Sequence, residues 1–555
     1  MGAMPMISPV AVLEKSRPAG RSGPGLAGGR LRLHHFLVLS VWCGLVSGPL
    51  EVGTIVVRKH TVDLNQFYWM SRHFVWLIPL TNLLIFLILG VVLALLALCW
   101  PGRGRWLVAR LLCALAVLPL LWVAFPLIYG PAGFMLALGI AARLVPLLEK
   151  HPAGFRRFVR LSFPALAVVT PVLAASVFVG DRLKEWREEA RSLPPRDSPN
   201  VLLVVLDTVR ADHLSLHGYN RPTSPTLDRL AQPGLHFERV QATSSWTLPS
   251  HASLLTGRWP HELSAGWLTP LDDAHPTLAE YLGSRGYATA GFVGNLFYCG
   301  SDTGLGRGFT AYRDYFFAEL SAFKMAALID RPVEGLRAID EFLSKRINST
   351  FFQGLLVRFD AGNRKPAAMV NREFLDWLSR RRQPERPFFT FLNYFDVHYP
   401  YKVADGGIHR FGSRPRTERE IDLIEHWRTV DRLGLSAREI AFVRDSYDDC
   451  IADLDEQLGR LLDELGRRGI LERTWLIVTS DHGESFGEQA GVFGHGTSLY
   501  QPQLHVPLVI VPPAGSPSRP SVPETASLRD LPATVVDVLG LGAGAPFPGR
   551  SLATL

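Results

Sequence analysis

Two short strings hold most of the side chains in this sequence that could do chemistry together. WTLPSHASLLTG contains Thr247 at the predicted start of a helix, and SDHGESFGE places Asp481 and His482 directly after the apolar run TWLIVTS. Asp207 ends another apolar run, VLLVVL. Two carboxylates, a hydroxyl and an imidazole can bind a divalent metal, and a hydroxyl bound in this way is an activated nucleophile. These residue types therefore predict an enzyme that cleaves or transfers esters.

Thr247 has a simpler interpretation as a helix cap. It precedes Pro249 and the helix-like ASLLTG, and Thr just before a helix with Pro near its start is typical of an N-cap. The same position also suits a nucleophile, because a helix N-terminus stabilises a developing alkoxide or a bound anion. A coordinated divalent cation would lower the pKa of the hydroxyl further.

Two more histidines occur in strings that also contain candidate ligands. His495 lies thirteen positions after His482 in GVFGHG, and His398 follows Asp396 in NYFDVHYPY. A single histidine near aromatic residues is usually structural, but two histidines in such strings favour roles in the site.

The second half of the chain alternates between strand-like and helix-like segments. Such alternation predicts an α/β fold with a doubly wound, mostly parallel sheet. In open α/β sheets, ligands bind beyond the carboxyl ends of the strands. Asp207, Asp481, Asp396 and His398 each follow a predicted strand, so we expect them at one edge of the sheet. The predicted strands are 201–206, 235–242, 288–293, 388–395, 474–480 and 507–511, and the predicted helices include 276–285, 437–468 and 528–539.

The first 180 residues account for the apolar character of the chain, which has 555 residues and is 47% hydrophobic. Windows of about 20 apolar residues predict an α-helical membrane domain. The third and fourth spans are separated only by YGPAG and are also compatible with one re-entrant unit. The five predicted spans are 35–57, 74–100, 107–126, 130–148 and 162–179.

Basic residues orient these spans. They are concentrated in the N-terminal tail and in the loops after the second span and before the fifth, as the positive-inside rule predicts for cytoplasmic segments. We therefore expect a multi-pass protein of the cell membrane whose catalytic domain is extracytoplasmic. The expected division is a basic cytoplasmic tail, a transmembrane domain, a linker and a catalytic domain, over residues 1–34, 35–180, 181–199 and 200–555. The segment 315–385 is expected to be an insertion or a packing layer, and 512–523 a loop.

The remaining composition excludes some classes of protein and leaves others open. The net charge of +7 comes largely from the tail and the membrane loops, and no basic stripe with interleaved aromatic residues indicates nucleic-acid binding. A disulfide between Cys299 and Cys450 stays open. Glu51, inside the first span, is expected to lie near a hydrated, kinked span end, with a functional role as the alternative.

At this point the motifs resemble a known family. NVLLVVLDTVRADHLSLHGY, TSPTLDRLA, WTLPSHASLLTG, GYATAGFVGN, NYFDVHYPY and SDHGE…GHG occur in the order seen in sulfatases and related enzymes of the alkaline phosphatase superfamily. The resemblance covers roughly residues 200–545 and implies that the doubly wound, mostly parallel sheet is alkaline-phosphatase-like, preceded by an α-helical membrane domain of about five transmembrane helices. The five-span anchor with an outward domain resembles lipid A phosphoethanolamine transferases and lipoteichoic acid synthases.

The resemblance implies roles for individual residues. By position, the metal would be held by Asp207, Thr247, Asp481 and His482, with Thr247 receiving the phosphoryl group. The histidines His398 and His495 would contact substrate, protonate the leaving alcohol or hold a second metal. Pocket positions that would contact substrate also include His251 and Asn295. Mixed oxygen and nitrogen ligands favour zinc or manganese, with calcium or magnesium as alternatives.

Three positions depart from the sulfatase pattern and distinguish the sulfatases from the phospho-ester transferases. Sulfatases have Cys or Ser at position 247, which is oxidised to formylglycine, whereas threonine would give a ketone at best. His251 and Thr208 stand where sulfatases have Arg and Asp. We therefore expect a metal-dependent enzyme that transfers or hydrolyses a phospho-ester. The alternatives are a sulfatase without formylglycine and a catalytically silent membrane scaffold. The expected partners are a membrane lipid or other phospho- or sulfo-ester substrate and a cell-envelope glycan acceptor.

Overall fold

A computed structural model of the chain describes residues 33–63, 66, 68, 70–99, 103–315, 325–333, 335–336, 364–403, 407, 409–425, 427, 430–489, 491–514 and 521–554. Its first part contains five helices that are long and apolar enough to cross a membrane, as the hydrophobic windows predict. The turn at 125–129 separates the third helix from the fourth, and each is long enough to span by itself. These helices are α1 (Leu33–Thr61), α2 (Phe74–Cys99), α3 (Arg103–Ala124), α4 (Gly130–Lys150) and α5 (Pro152–Glu189).

The second part is built on one large sheet with the strand order β11-β2-β10-β6-β1-β5-β3-β4, and β9 pairs with β2. The central strands β6, β1, β5 and β3 are parallel, and β10 is antiparallel to both of its neighbours. A separate hairpin consists of β7 and β8. This arrangement confirms the α/β fold with a mostly parallel sheet. The strands are β1 (Asn200–Leu206), β2 (Leu235–Gln241), β3 (Ala288–Val293), β4 (Ala311–Arg313), β5 (Phe388–Tyr394), β6 (Thr474–Thr479), β7 (Ser485–Phe486), β8 (Phe493–Gly494), β9 (His505–Val506), β10 (Leu508–Val511) and β11 (Val522–Ser527).

Both faces of the sheet are buried, because helices pack on each side. Along β1, Val201, Leu203 and Val205 belong to one hydrophobic cluster. Leu202, Val204 and Leu206 belong to the cluster on the opposite face. A strand buried on both faces reads as a continuous apolar run, which explains the composition of VLLVVL. The helices of this part are α6 (Pro225–Ala231), α7 (Thr247–Thr256), α8 (Leu278–Ser284), α9 (Ala367–Arg380), α10 (Glu418–Glu425), α11 (Ala437–Arg467), α12 (Gln501–Leu504) and α13 (Leu531–Val538).

Three sequence-based expectations change in detail. The fifth helix continues without a break through the charged segment to Glu189, so the first half of the expected linker is helical. Within 315–385, α9 packs against β3, β5 and α11 as part of the globular layer, whereas 316–324 and 337–363 lie outside the described residues. The expected loop 512–523 ends earlier, because β11 begins at Val522.

Glu51 does not lie at a hydrated span end. Its side chain is fully buried, and its carboxylate accepts hydrogen bonds from Asn82 Nδ2 and from the backbone N–H of Ala327, both at 2.7 Å. Ala327 belongs to the segment 325–333, which packs between the membrane helices. Within the described residues, Cys299 and Cys450 are buried free thiols in the two opposite clusters of the sheet, so they form no disulfide.

Candidate active site

The carboxyl ends of two neighbouring strands bring Asp207 and Asp481 together. Asp207 follows β1, Asp481 lies two residues beyond the end of β6, and these strands pair in parallel. With His482 they form a fully buried group whose ligand atoms all lie within 4.8 Å of one another. The structure therefore places these three predicted ligands at one point, as the strand-end argument requires.

The turn after β1 adopts a backbone conformation that few residues tolerate. Thr208 has a φ of 64°, which lies in the left-handed region and is strained for a β-branched residue. This conformation directs its backbone N–H at Asp481 Oδ1 (3.2 Å), while its hydroxyl donates to the Asp207 carbonyl (2.7 Å). The position at which sulfatases carry a second Asp thus ties the two strand ends together here.

Thr247 is the first residue of α7, and the cap position before it is occupied by Trp246. The interpretation of Thr247 as an N-cap is therefore wrong, because the residue already has helical geometry and Trp246 makes no side-chain cap hydrogen bond. The Thr247 hydroxyl lies 3.2 Å from His482 Nε2, in a side chain that is only 2% exposed. A second contact fixes the helix, since the Ser250 hydroxyl donates to the Asp481 carbonyl (2.6 Å).

Two carboxylate oxygens at this point suit a cation. Asp207 Oδ1 and Asp481 Oδ2 are buried and have no hydrogen-bond partner among the described residues. Burial, reinforced for Asp207 by the negative charge of Asp481, raises the pKa of both carboxyl groups. Buried anionic oxygens without donors are costly unless they are paired or bind a metal. The residues present therefore fit a divalent cation.

The imidazole of His482 has the tautomer that a metal ligand needs. Its Nδ1 lies 3.0 Å from the Gly483 carbonyl, so the ring donates there and keeps the Nε2 lone pair on the side of Thr247. Burial, followed by the charge of His495, lowers the pKa of His482 to about 4. The ring is thus neutral at pH 7.

Two residues predicted to contact substrate instead surround the carboxylates. His251 Nδ1 lies 2.9 Å from the Thr247 carbonyl and 3.5 Å from Asp481 Oδ2. Asn295 Nδ2 donates to Asp207 Oδ2 (3.0 Å). Both side chains are almost completely buried. Their geometry suits orientation of the two carboxylates better than contact with a substrate.

The other two predicted histidines lie on the outer side of the group. The ring centroid of His495 is 4.6 Å from that of His482 and 5.1 Å from that of His398. His495 Nδ1 lies 3.0 Å from Glu484 Oε2. Burial opposes protonation of His495, but the adjacent Glu484 carboxylate outweighs it and raises the pKa. Burial lowers the pKa of His398, so the two rings differ in their preferred charge.

An aromatic wall continues outward from the nucleophile position. Trp246 stacks in parallel on Trp267 with ring centroids 3.7 Å apart, and the exposed fraction of Trp267 is 49%. Tyr298 and His495 contact other edges of the Trp246 ring, at 5.1 and 5.3 Å between centroids. The wall leads from solvent to Thr247.

Sequence reasoning missed several residues that shape this site. Trp246, Glu484 and Asn393 lie within the motifs WTLPSHASLLTG, SDHGESFGE and NYFDVHYPY, whereas Trp267 carries no local signal. Asn393 Oδ1 accepts the Asn295 backbone N–H (2.9 Å) and so holds that residue. Asp396, although it follows β5, is not part of the group, because its carboxylate accepts the Ala367 backbone N–H at the start of α9.

The fold and the site define an α/β enzyme of the alkaline phosphatase type, with a metal-competent group at the carboxyl edge of a parallel sheet. The family model named Sulfatase matches residues 199–541, more than half of the chain. The chain belongs to the sulfatase family, a metal-dependent family, and is an enzyme acting on phosphoric or sulfuric esters.

Curated relatives are similar over the same part of the chain. The uncharacterized sulfatase YidJ of Escherichia coli K12 is 23% identical over 64% of this chain and 70% of its own length. Human arylsulfatase A is 27% identical over 64% of this chain and 66% of its own length. The multifunctional alkaline phosphatase superfamily protein PehA of Trinickia caryophylli is 28% identical over 64% and 76%.

Solved structures match the same part. The phosphonate monoester hydrolase of Agrobacterium radiobacter is 22% identical with a TM-score of 0.44, over 64% of this chain and 76% of that chain. The C-terminal periplasmic domain of EptC from Escherichia coli, in complex with Zn, is 17% identical with a TM-score of 0.42, over 63% and 84%.

Proposed function

We propose that this protein is a membrane-anchored enzyme that transfers or hydrolyses a phospho-ester through Thr247, on the extracytoplasmic side of the membrane. The observation that carries the proposal is the 3.2 Å approach of the Thr247 hydroxyl to His482 Nε2, beside two buried carboxylates. A hydroxyl at the first turn of a helix and next to metal-competent side chains is placed as a nucleophile. Asp207, Asp481 and His482 are the proposed ligands, and zinc or manganese suits their mixed donor set.

A divalent cation bound there would lower the pKa of the hydroxyl and neutralise charge on the ester oxygens. The Thr247 hydroxyl loses its proton to solvent, and the resulting Oγ1 alkoxide attacks phosphorus, forming an O–P bond while the bond to the leaving alcohol breaks. His398 and His495 flank the outer side of the site, and the protonated one donates its proton to that alcohol oxygen. The threonyl phospho-ester is released by water or by an acceptor hydroxyl, whose proton returns to the same imidazole. In this second step Oγ1 is the leaving group and is regenerated as the alkoxide.

Threonine is the reason to favour phosphorus over sulfur. Its oxidation cannot give the formylglycine aldehyde on which the usual sulfatase mechanism depends. A hydroxyl that attacks directly needs no such modification. Threonine at position 247 therefore supports a phospho-ester as the substrate. The membrane domain supports a lipid donor, with a glycan or water as the acceptor.

A sulfate ester is the second candidate, because curated relatives include arylsulfatases. The test measures kcat/KM of the full-length protein on bis-p-nitrophenyl phosphate and on p-nitrophenyl sulfate, with Asp481→Ala as the inactive control. We expect the phosphodiester to be the better substrate by at least tenfold. A preference for the sulfate would favour the second candidate, and equal rates in the control would show that the activity comes from elsewhere.

A further inference from the structure

The end of α1 and the loop that follows it contact two acidic side chains of the catalytic domain, Asp302 and Asp314. Lys59 forms an ion pair with Asp302, whose carboxylate also accepts the Tyr68 backbone N–H. The Ser71 hydroxyl donates to Asp314 Oδ1 at 3.0 Å. Ser71 and Asp314 are both almost fully buried. The membrane domain therefore holds the catalytic domain at fixed polar contacts.

Both acidic residues are connected to one turn of the catalytic domain. Asp302 lies inside the turn Ser301–Thr303. Asp314 binds the start of that turn from outside, because its Oδ2 accepts the Ser301 backbone N–H (2.8 Å) and the Ser301 hydroxyl (2.6 Å). The Asp314 carboxylate is thus shared between Ser71 on the membrane side and Ser301 on the catalytic side.

The other end of this loop reaches the candidate metal ligands. Asn295 starts the loop and donates to Asp207 Oδ2 at 3.0 Å. Internal hydrogen bonds make the loop compact, since the Asn295 side-chain oxygen accepts Tyr298 N–H (3.0 Å) and its carbonyl accepts Cys299 N–H (3.1 Å). Tyr298 lies against Trp246, directly before Thr247 in the chain. The residues 295–303 therefore connect the membrane domain with the site.

We infer that Ser71 of the membrane domain is a positioning residue for the active site, acting through Asp314 and the loop 295–303 on Asn295. The consequence is that the catalytic domain has its full activity only when it is docked on its own membrane helices. This inference rests on the proposed function, because it concerns the same site. It adds a dependence that the catalytic residues alone do not predict.

The test uses the full-length protein in detergent and compares Ser71→Ala with Ser71→Thr, which keeps the hydroxyl. Ser176→Ala is the matched control, since the Ser176 hydroxyl binds only the Leu173 carbonyl of its own helix in the described structure. Hydrogen–deuterium exchange is measured on peptides that cover 295–303 and 474–483. We expect exchange in 295–303 to become at least fivefold faster in Ser71→Ala alone, with 474–483 unchanged.

Steady-state kinetics on the phosphodiester give the second readout. We expect kcat to fall about fivefold in Ser71→Ala with KM nearly unchanged, and to recover in Ser71→Thr. In an Asn295→Ala background, Ser71→Ala should cause no further loss, because the coupling residue is already absent. If Ser71→Ala yields little folded protein, Ser71→Cys, whose thiol is a much weaker donor to Asp314, carries the same expectations.

The outcomes separate this inference from the proposed function. Equal exchange and equal kcat in Ser71→Ala and Ser176→Ala would overturn the positioning role while leaving the phospho-ester activity standing. A wild-type protein without ester turnover would contradict the proposed function, and the exchange measurement would still decide whether Ser71 orders the loop. Additive losses from Ser71→Ala and Asn295→Ala would show that Ser71 does not act through Asn295.

Discussion

Asp207 and Asp481 each bring one buried carboxylate oxygen to the same point without a hydrogen-bond donor from the described residues. The other oxygen of each is held, by Asn295 on one side and by the Thr208 and His482 backbone N–H groups on the other. One oxygen of each carboxylate is therefore fixed by hydrogen bonds, and the other is available to a cation. This division is what a metal site with an oriented outer shell requires.

Metal binding gives a direct test of these residues. We expect the wild-type protein to retain about one divalent ion per chain after extensive dialysis and Asp481→Asn to lose most of it, because an amide is a weaker ligand than a carboxylate. Asp396→Asn is the matched control, since Asp396 also follows a sheet strand but binds the Ala367 N–H. Elemental analysis measures the content. Equal loss of metal from Asp481→Asn and Asp396→Asn would contradict the assignment of Asp481, but not Asp396, as a metal ligand.

The positions of the candidate site residues could be predicted from sequence because strands and strand ends have a local signature. The apolar runs before Asp207 and Asp481 mark β1 and β6, and neighbouring parallel strands place their carboxyl ends together. The predicted start of α7 was wrong by one residue, because the helix begins at Thr247 and not after it. This difference is within the usual uncertainty of helix boundaries. The contacts of His251 and Asn295 with the carboxylates could not be predicted, because spacing alone cannot show which side of a carboxylate a side chain occupies.

Elements that depend on distant contacts were not predictable. The strand β4 has only three residues, and β7, β8 and β9 have two each, so they carry no periodic pattern. Trp267 lies in a loop that the sequence does not connect to Trp246. The aromatic wall exists because tertiary packing brings these two rings into contact.

The approach of Gly496 to Trp246 tests this wall. A Cβ added at Gly496 would lie 2.3 Å from Trp246 Cε3, so Gly496→Ala must displace the residue next to Thr247. Gly491→Ala is the matched control, because both glycines have positive φ (76° and 77°) but the nearest atom at Gly491 is 3.5 Å away. Each substitution should cost about 1–2 kcal/mol of backbone strain. We expect only Gly496→Ala to lower kcat/KM by tenfold or more, and similar activities in the two variants would contradict the role of the wall.

At the scale of the whole molecule, the membrane helices and the catalytic domain form a connected unit. Arg72 pairs with Asp181 at the end of the last span (2.7 Å), and Glu51 holds the segment 325–333 inside the bundle. The α1–α2 loop therefore lies beside the catalytic domain. Five spans give this arrangement if each helix crosses once.

The orientation of that unit gives a labelling prediction. Arg182→Cys introduces a thiol at a side chain that is 78% exposed beside the catalytic domain, and Lys150→Cys introduces one at the opposite end of the bundle. We expect a membrane-impermeant maleimide to label Arg182→Cys on intact cells and Lys150→Cys only after lysis, with the unmodified protein as the baseline. The reverse pattern would place the catalytic domain in the cytoplasm.

Acid should destabilise the catalytic domain partly through His217. Burial, and then the neighbouring His236 and His505, lower the pKa of His217 to about 3. The unfolded chain takes up this proton near pH 6.5, so the stabilisation is complete above that pH and is lost as the pH falls towards 3. Between pH 7.5 and 5 the loss is about 2 kcal/mol. We expect the apparent melting temperature of His217→Gln to fall less over this range than that of wild type or of His261→Gln, a control at an exposed histidine. Equal falls in all three proteins would show that His217 does not cause the acid sensitivity.

The central claim is that Thr247 forms a covalent bond to the transferred group. Full-length protein is incubated with a slowly released phosphodiester, quenched in acid, digested and analysed by mass spectrometry, with Thr247→Ser and Thr247→Val as companions. We expect a phospho-ester mass increase on the peptide that contains residue 247 in the wild type and in Thr247→Ser. We expect none in Thr247→Val, which keeps the shape but has no hydroxyl. Full turnover by Thr247→Val, or an adduct on another residue, would contradict the central claim.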